Sequence, residues 1–423
     1  MGQFARQAMT VMLGTIAAQL IAIAASPILA RLYAPADFGL FALYLSCVTI
    51  AGSLATARYD VAVMMPSTDS ESDHLAIGAM TICAASSFVL LVAMLLLSPA
   101  LAQMLGAPSL APWLKIAPAA VFLTGICSTF SFWCNRQARY RTLTASRITQ
   151  AAANSSTAIG LGLVWSPGGM FVSALIGQLL CAILLVRAVR SRYVGLERPL
   201  RAHVAAALRR YKKYPAMSIP TDLISQLSAQ LPRFVIGIYF GSTALGLFFL
   251  NQRVLDLPLG VVAGSVREVF SQRANKQYLT EGACNELFLK TFRLLLFIAL
   301  LPSALVFVTA PDAFALVFGE RWREAGVYTQ IMVPMYFFRF AISPLCMMFY
   351  IAQKQQQELL WQAVLLLLTC ASFAVGVAHG DAKVGLACYS ATYSTMYLII
   401  FFMALRLARS GSRASSRGPI SNR

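Results

Sequence analysis

Runs of about twenty apolar residues follow one another along all 423 residues. Each is long enough to cross the ~30 Å hydrocarbon layer of a bilayer. Backbone in lipid must satisfy its own hydrogen bonds, so such runs can only be helices or strands of a closed barrel. Alternating strand-like segments are absent, which predicts an all-α integral membrane protein. Charged residues make up only 12% and hydrophobic residues 58%, whereas a soluble domain carries roughly twice that charged share. Twelve spans are predicted, at 9–33, 38–64, 75–99, 110–134, 145–165, 168–189, 216–240, 243–266, 286–309, 325–352, 358–378 and 383–406. No cleavable signal is expected: the apolar run from Ala8 is too long for one and lacks a clear cleavage site.

The loops predict orientation. The gaps after odd-numbered spans are short and nearly uncharged, as in Gly241-Ser242-Thr243. The even gaps carry the cations, among them Arg136, Arg139, Arg141 and Arg147, then Arg209, Arg210, Lys212 and Lys213, then Arg267, Arg273 and Lys276. The positive-inside bias therefore places both termini and every even gap in the cytoplasm. The gap after the second span runs the other way, with Asp60, Asp69, Glu71 and Asp73 outnumbering Arg58. Acidic residues weigh little in this rule. The formal net charge of +18 is thus explained by topology, and no nucleic-acid partner is expected.

The chain also reads as doubled. Phe38-Gly39-Leu40-Phe41-Ala42-Leu43 is echoed by Leu245-Gly246-Leu247-Phe248-Phe249-Leu250, the glycines 207 positions apart (246 − 39). Ala117-Pro118 is echoed by Val333-Pro334, 216 positions on (334 − 118). Each of these prolines is followed by an aromatic-rich run and a polar exit, Asn135-Arg136-Gln137 or Gln353-Lys354-Gln355. Two halves of equal span number and equal orientation predict parallel repeats with a substrate path between them. The expected division is an N-terminal bundle at 1–189, a basic amphipathic cytoplasmic linker at 190–215, a C-terminal bundle at 216–406 and a disordered basic tail at 407–423. In the linker, Leu200, Val204, Ala207, Leu208 and Tyr211 share a helical face, a pattern suited to a topology anchor or to anionic phospholipid headgroups.

Ionisable residues inside spans are candidates for function, because placing them there costs at least ~2.5–3.5 kcal/mol near the bilayer centre. Arg253 and Asp256 fall in the middle of the eighth span and Arg339 in the middle of the tenth. Arg233 and Arg31 lie toward outer ends, and Arg58, Asp60 and Asp222 toward inner ends. Arg253 and Asp256, three residues apart, can share a helix face. Asp256 then either neutralises Arg253 for packing or tunes a cationic lining for an anionic passenger. Arginine suits bidentate phosphate contact. Arg31 and Arg58 can equally snorkel to headgroups. Gly237 with Gly241, and Gly260 with Gly264, have the spacing of close helix packing.

Other chemistries find little support. The nine cysteines show no CxxC spacing and the three histidines are scattered, so neither a disulfide framework nor a metal site is expected. Phosphate-cradling, nucleophile-elbow and zinc-protease motifs are absent. No cofactor and no enzymatic activity are expected. Any transport energy would come from an ion gradient, the membrane potential or the substrate itself. The charged outer loop Gly319–Glu324 balances its own charges and is expected to be mutually paired.

Three stretches carry a family resemblance: ARLYAPADFGLFALYLSCVTIAGSLATARYDVAVMMP at 30–66, YPAMSIPTDLISQLSAQLPRFVIGIYFGSTALGLFFLNQRVLDLP at 214–258, and FGERWREAGVYTQIMVPMYFFRFAISPLCMMFYIAQKQQQ at 318–357. Through them the chain resembles bacterial polysaccharide-biosynthesis flippases of the Wzx type, in the superfamily of MATE drug exporters and the lipid II flippase. The resemblance implies about twelve transmembrane helices in two pseudo-symmetric six-helix bundles, V-shaped and alternating between inward- and outward-open states. It implies a multi-pass protein of the bacterial inner membrane. Its implied substrate is undecaprenyl-pyrophosphate-linked oligosaccharide, moved to the periplasmic leaflet for O-antigen, capsule or exopolysaccharide synthesis. A cationic cavity is implied, which here corresponds to Arg31, Arg253 and Arg339, tempered by Asp256, with Arg58 and Arg233 as outer members. Coupling to H+ or Na+ and contact with a polysaccharide polymerase and a chain-length regulator also follow from the resemblance. The alternative is a MATE-like ion-coupled multidrug antiporter, whose cavity for cationic drugs would be acidic. An integral-membrane polymerase or acyltransferase would need extended outer loops or clustered His, Asp and Glu, and neither occurs.

Overall fold

The computed structural model describes residues 3–193 and 201–409. Part of the expected linker, including Leu200, and the expected disordered tail from Ser410 onward lie outside them, while residues 407–409 of that tail are helical. By packing, the chain forms two compact units, Met1–Phe249 and Leu250–Arg423.

The first unit contains α1 (Gln3–Ala24), α2 (Ser26–Leu32), α3 (Pro35–Ala55), α4 (Tyr59–Ala62), α5 (Asp69–Met104), α6 (Ala111–Leu114), α7 (Ala117–Arg136), α8 (Tyr140–Gly162), α9 (Gly168–Tyr193), α10 (Arg201–Arg210) and the larger part of α11 (Lys213–Pro258). In the second, α11 ends and a π-helical turn, Leu259–Ala263, leads into α12 (Gly264–Glu281). There follow α13 (Asn285–Phe318), α14 (Arg323–Ile342), α15 (Met348–Ile351), α16 (Gln355–His379) and α17 (Ala382–Arg409). Every element among the described residues is helical.

Ten of these helices are long and apolar enough to cross a membrane, against twelve predicted spans. One difference is α8, which is helical but carries Arg147, Asn154, Ser155, Ser156 and Thr157. The other is Ser218–Asp256, which counts as one stretch of 39 residues but turns back on itself. Arg233 sits 5.4 Å from the ring centroid of Phe249, although sixteen residues (249 − 233) of straight helix would span ~24 Å. The reversal is at Gly241, whose φ of 84° and ψ of 172° belong to a region essentially closed to other residues. The predicted hairpin of the seventh and eighth spans is therefore present.

The second predicted span is not one helix. α3 stops at Ala55, Ala57 and Arg58 take left-handed φ values of 46° and 61°, and α4 restarts as a single turn. Neither residue favours that region. The break is pinned from outside: the Ser86 hydroxyl donates to the Ala55 carbonyl at 2.7 Å and the Tyr59 hydroxyl to the Leu208 carbonyl at 3.0 Å. Leu208 belongs to the amphipathic α10, which lays Ala207 and Leu208 onto the first unit and pairs Arg210 with Glu71 at 3.0 Å. Arg209, with the neighbouring Lys212 and Lys213, is exposed.

The echoed motifs meet inside the first unit. A Cβ on Gly39 would lie 1.8 Å from the Ser242 carbonyl oxygen, and one on Gly246 would lie 1.7 Å from the Pro35 carbonyl oxygen. A shift of 207 (242 − 35 and 246 − 39) carries Pro35 and Gly39 onto Ser242 and Gly246, so it maps one contact onto the other. Each copy of the motif thus offers the other the same surface. By contrast, a Cβ on Gly241 or on Gly264 would meet nothing within 4 Å, which corrects the predicted role of both in close packing. The packing boundary after Phe249 lies beyond the predicted linker because this glycine contact seats the first hairpin of the second repeat on α3.

A second trace of doubling is conformational. α7 and α15 both end in one left-handed residue, Ala138 (φ 52°) and Gln353 (φ 56°), two positions before the next helix. The closing bonds repeat as well: Arg139 N–H to the Cys134 carbonyl at 2.8 Å, and Lys354 N–H to the Phe349 carbonyl at 2.7 Å. Donors and acceptors are alike shifted by 215 (354 − 139 and 349 − 134).

Each unit has its own apolar core, around Leu75, Trp133 and Leu185 in the first and around Phe288, Met348, Phe349 and Ile400 in the second. Trp133 is fully buried and donates its indole N–H to the buried Asp73 carboxylate at 2.7 Å. Trp133→Phe removes that donor and is expected to cost about 1.5–3 kcal/mol. A lowered unfolding temperature in detergent, at unchanged helix content, checks this.

Candidate functional site

The second unit brings four polar side chains onto neighbouring helices. The end of α11 supplies Arg253 and, one turn later, Asp256; α14 supplies Tyr336 and, one turn later, Arg339. A three-residue spacing puts each pair on one helix face. Asp256 Oδ1 accepts from the Arg339 guanidinium at 3.3 Å and from the Tyr336 hydroxyl at 3.2 Å. The Arg339 guanidinium also lies 5.7 Å from the Tyr336 ring centroid, within cation–π range. Asp256 thus makes a cross-helix contact beyond the Arg253 pairing that the three-residue spacing alone suggested. The reason lies on α14, where the 336/339 spacing aims a hydroxyl and a guanidinium at the same carboxylate oxygen. Arg253 is half-buried.

The Asp256–Arg339 pair is half-open, with side-chain exposures of 48% and 38%. Ion pairs exposed to this degree contribute only about 0.2–1 kcal/mol.

The loop Gly319–Glu324 pairs both within itself, as expected, and with residues outside it. Arg323 bridges Asp312 at 2.8 Å and Glu320 at 2.7 Å, and Lys383 pairs with Glu324 at 3.0 Å.

In the first unit the other predicted arginines hold varied positions. Arg58, at the left-handed break, pairs with Asp222 of α11 at 2.5 Å. Arg233 donates to Gln230 Oε1 at 2.9 Å, and the same oxygen accepts from the Ser46 hydroxyl of α3 at 2.9 Å. With its contact to Phe249, Arg233 helps tie the hairpin to α3. Arg31 is exposed in the last turn of α2, where the helix dipole favours a cation. Asp60 is buried and accepts from the Ser128 hydroxyl at 2.5 Å. Tyr336 and Gln230 are absent from the sequence-predicted set. Tyr336 is one aromatic in the run Met335–Phe340, indistinguishable there from core, and Gln230 carries no charge to draw attention.

Residues 28–327 match the family model described as polysaccharide biosynthesis protein, 300 of 423 residues (327 − 28 + 1). The chain belongs to that family. It is similar to the teichuronic acid biosynthesis protein TuaB of Bacillus subtilis (strain 168), with 22% identity over 175 residues, 41% of this chain and 36% of that protein. That match spans about a third of the relative's length. Among solved structures, the lipid II flippase MurJ in an inward closed conformation superposes with a TM-score of 0.72 at 13% identity, covering 94% of this chain and 89% of that one. A MATE protein in complex with MaL6 superposes at 0.61 and 14% identity, covering 96% and 95%. The family member described here therefore has the all-helical fold of MurJ and MATE, and it is a multi-pass membrane protein.

Proposed function

We propose that this member of the polysaccharide biosynthesis family is a flippase, not an enzyme. It carries undecaprenyl-pyrophosphate-linked oligosaccharide from the cytoplasmic to the periplasmic leaflet of the bacterial inner membrane by alternating access. The observation that carries the reading is the half-open Arg339–Asp256 pair on membrane-spanning helices, completed by Tyr336. A charge in a span needs a reason, and a loosely held arginine is a site for a passing anion. The pyrophosphate displaces Asp256 from Arg339 on entry, and Asp256 reclaims the guanidinium as the headgroup leaves. The weakness of the resident pair keeps the anion from being trapped. Arg253 and Arg31 are proposed as further headgroup contacts. Arg58 and Arg233, already engaged with Asp222 and Gln230, are proposed as outer members.

Two six-helix repeats on either side of 190–215, both termini in the cytoplasm, coupling to H+ or Na+, and work beside a polymerase and a chain-length regulator belong to the same proposal. The exposed cations of α10 and the residues after it suit anionic phospholipid on the cytoplasmic face.

Disrupting the gene tests the reading. Lipid-linked oligosaccharide is expected to accumulate in the cytoplasmic leaflet while surface glycan falls. Unchanged leaflet distribution, together with drug hypersensitivity, would instead identify a MATE-like antiporter.

A further inference from the structure

Protein interiors pack to the density of organic crystals, so an open crevice needs something that holds its walls apart. The second unit has such a crevice, of about 290 Å³, where α11 passes into its π-helical turn beside α13 and α14. Leu259 and Val262 of the π turn form part of its wall, and Pro302 and Val306 of α13 form another part. Both walls are thus built from helix irregularities, a π turn and an in-helix proline. Apart from Ser303 and Tyr336 the lining is hydrocarbon.

Tyr336 links this crevice to the arginine site. The same side chain borders the crevice and donates its hydroxyl to Asp256, the partner of Arg339. A ligand whose anionic group takes Arg339 has its adjoining segment at the apolar lining. We propose that the crevice holds the first isoprene units of a single-chain polyprenyl pyrophosphate, next to its charged group; the assignment rests on the flippase reading above. Volume favours one chain over two. A cavity of about 150 Å³ accepts a six-carbon ring, so 290 Å³ accommodates about ten to twelve carbons, or two isoprene units. A phospholipid diverges into two chains directly below its headgroup and matches such a space less well.

The test uses the full-length protein in nanodiscs and a prenyl pyrophosphate carrying a diazirine in its second isoprene unit. Photolabelling is expected on α13 around Val306. Excess undecaprenyl pyrophosphate is expected to quench it, and excess dioleoylphosphatidylglycerol is not. Ser303→Trp, which fills the crevice, is expected to cut labelling by roughly tenfold, the loss for displacing about two methylene groups from apolar burial. Val306→Trp is the second variant, should the first fold poorly. Labelling that ignores both variants, falls elsewhere, or is quenched equally by the phospholipid overturns the assignment. The two readings fail separately. If gene disruption redistributes the lipid-linked oligosaccharide but the tryptophan variants label normally, only the crevice assignment falls. If disruption changes nothing, the flippase reading falls whatever the label shows.

Discussion

Arg339→Gln is expected to reduce delivery of lipid-linked oligosaccharide to the outer leaflet by about ten- to a hundredfold, with the protein inserted at normal abundance. A hydrogen bond to a charged group contributes about 1.5–3 kcal/mol, and each ~1.4 kcal/mol is tenfold. Glutamine keeps a donor but is shorter and carries no charge. Its resident partner does not compensate, because Asp256 supplies no positive charge in its place. Asp256→Asn should act in the opposite sense on binding. Without its competitor, Arg339 should hold a pyrophosphate roughly two- to fivefold more tightly, the worth of an exposed pair, and release it more slowly. A pair that served only packing would give two variants with the same modest loss of stability and no change in pyrophosphate affinity. Translocation in proteoliposomes, with pyrophosphate affinity measured alongside, separates the outcomes.

Gly246→Ala is expected to destabilise the protein by about 3 kcal/mol or more, at the upper end of overpacking costs. The new methyl carbon would stand 1.7 Å from the Pro35 carbonyl oxygen, and backbone cannot swing aside as a side chain can. Gly39→Ala meets the Ser242 carbonyl at 1.8 Å and should cost about as much. Gly264→Ala is the control: its Cβ enters open space, and exchanging glycine for alanine in a helix gains up to about 1 kcal/mol. Detergent thermal unfolding of the three variants would show two large drops and one unchanged or raised midpoint. Equal behaviour of all three would refute the close contact.

Much of the architecture was legible because the bilayer requires it. Apolar run lengths located the helices, and Gly241 marked the reversal between Arg233 and Phe249. The break at Ala57 and Arg58 was not legible, because neither residue signals a left-handed turn and the cause sits in Ser86, Leu208 and Asp222, distant in sequence. The site was half legible. Charge in an apolar run singled out Asp256 and Arg339, but their pairing depends on α14 lying beside the end of α11, eighty-three positions away (339 − 256). Tyr336 was hidden among aromatics that a membrane helix carries for many reasons.

The glycine contact has a consequence for assembly. An arrangement in which Gly39 meets Ser242 while Gly246 meets Pro35 is what two identical chains form across a two-fold axis. Here a single chain supplies both faces. A protein carrying one copy of the motif would form this surface only by dimerising, and dilution would dissolve it. Joined on one polypeptide, the partners stay at a fixed ratio and a high effective concentration, so the contact persists however few molecules the membrane holds.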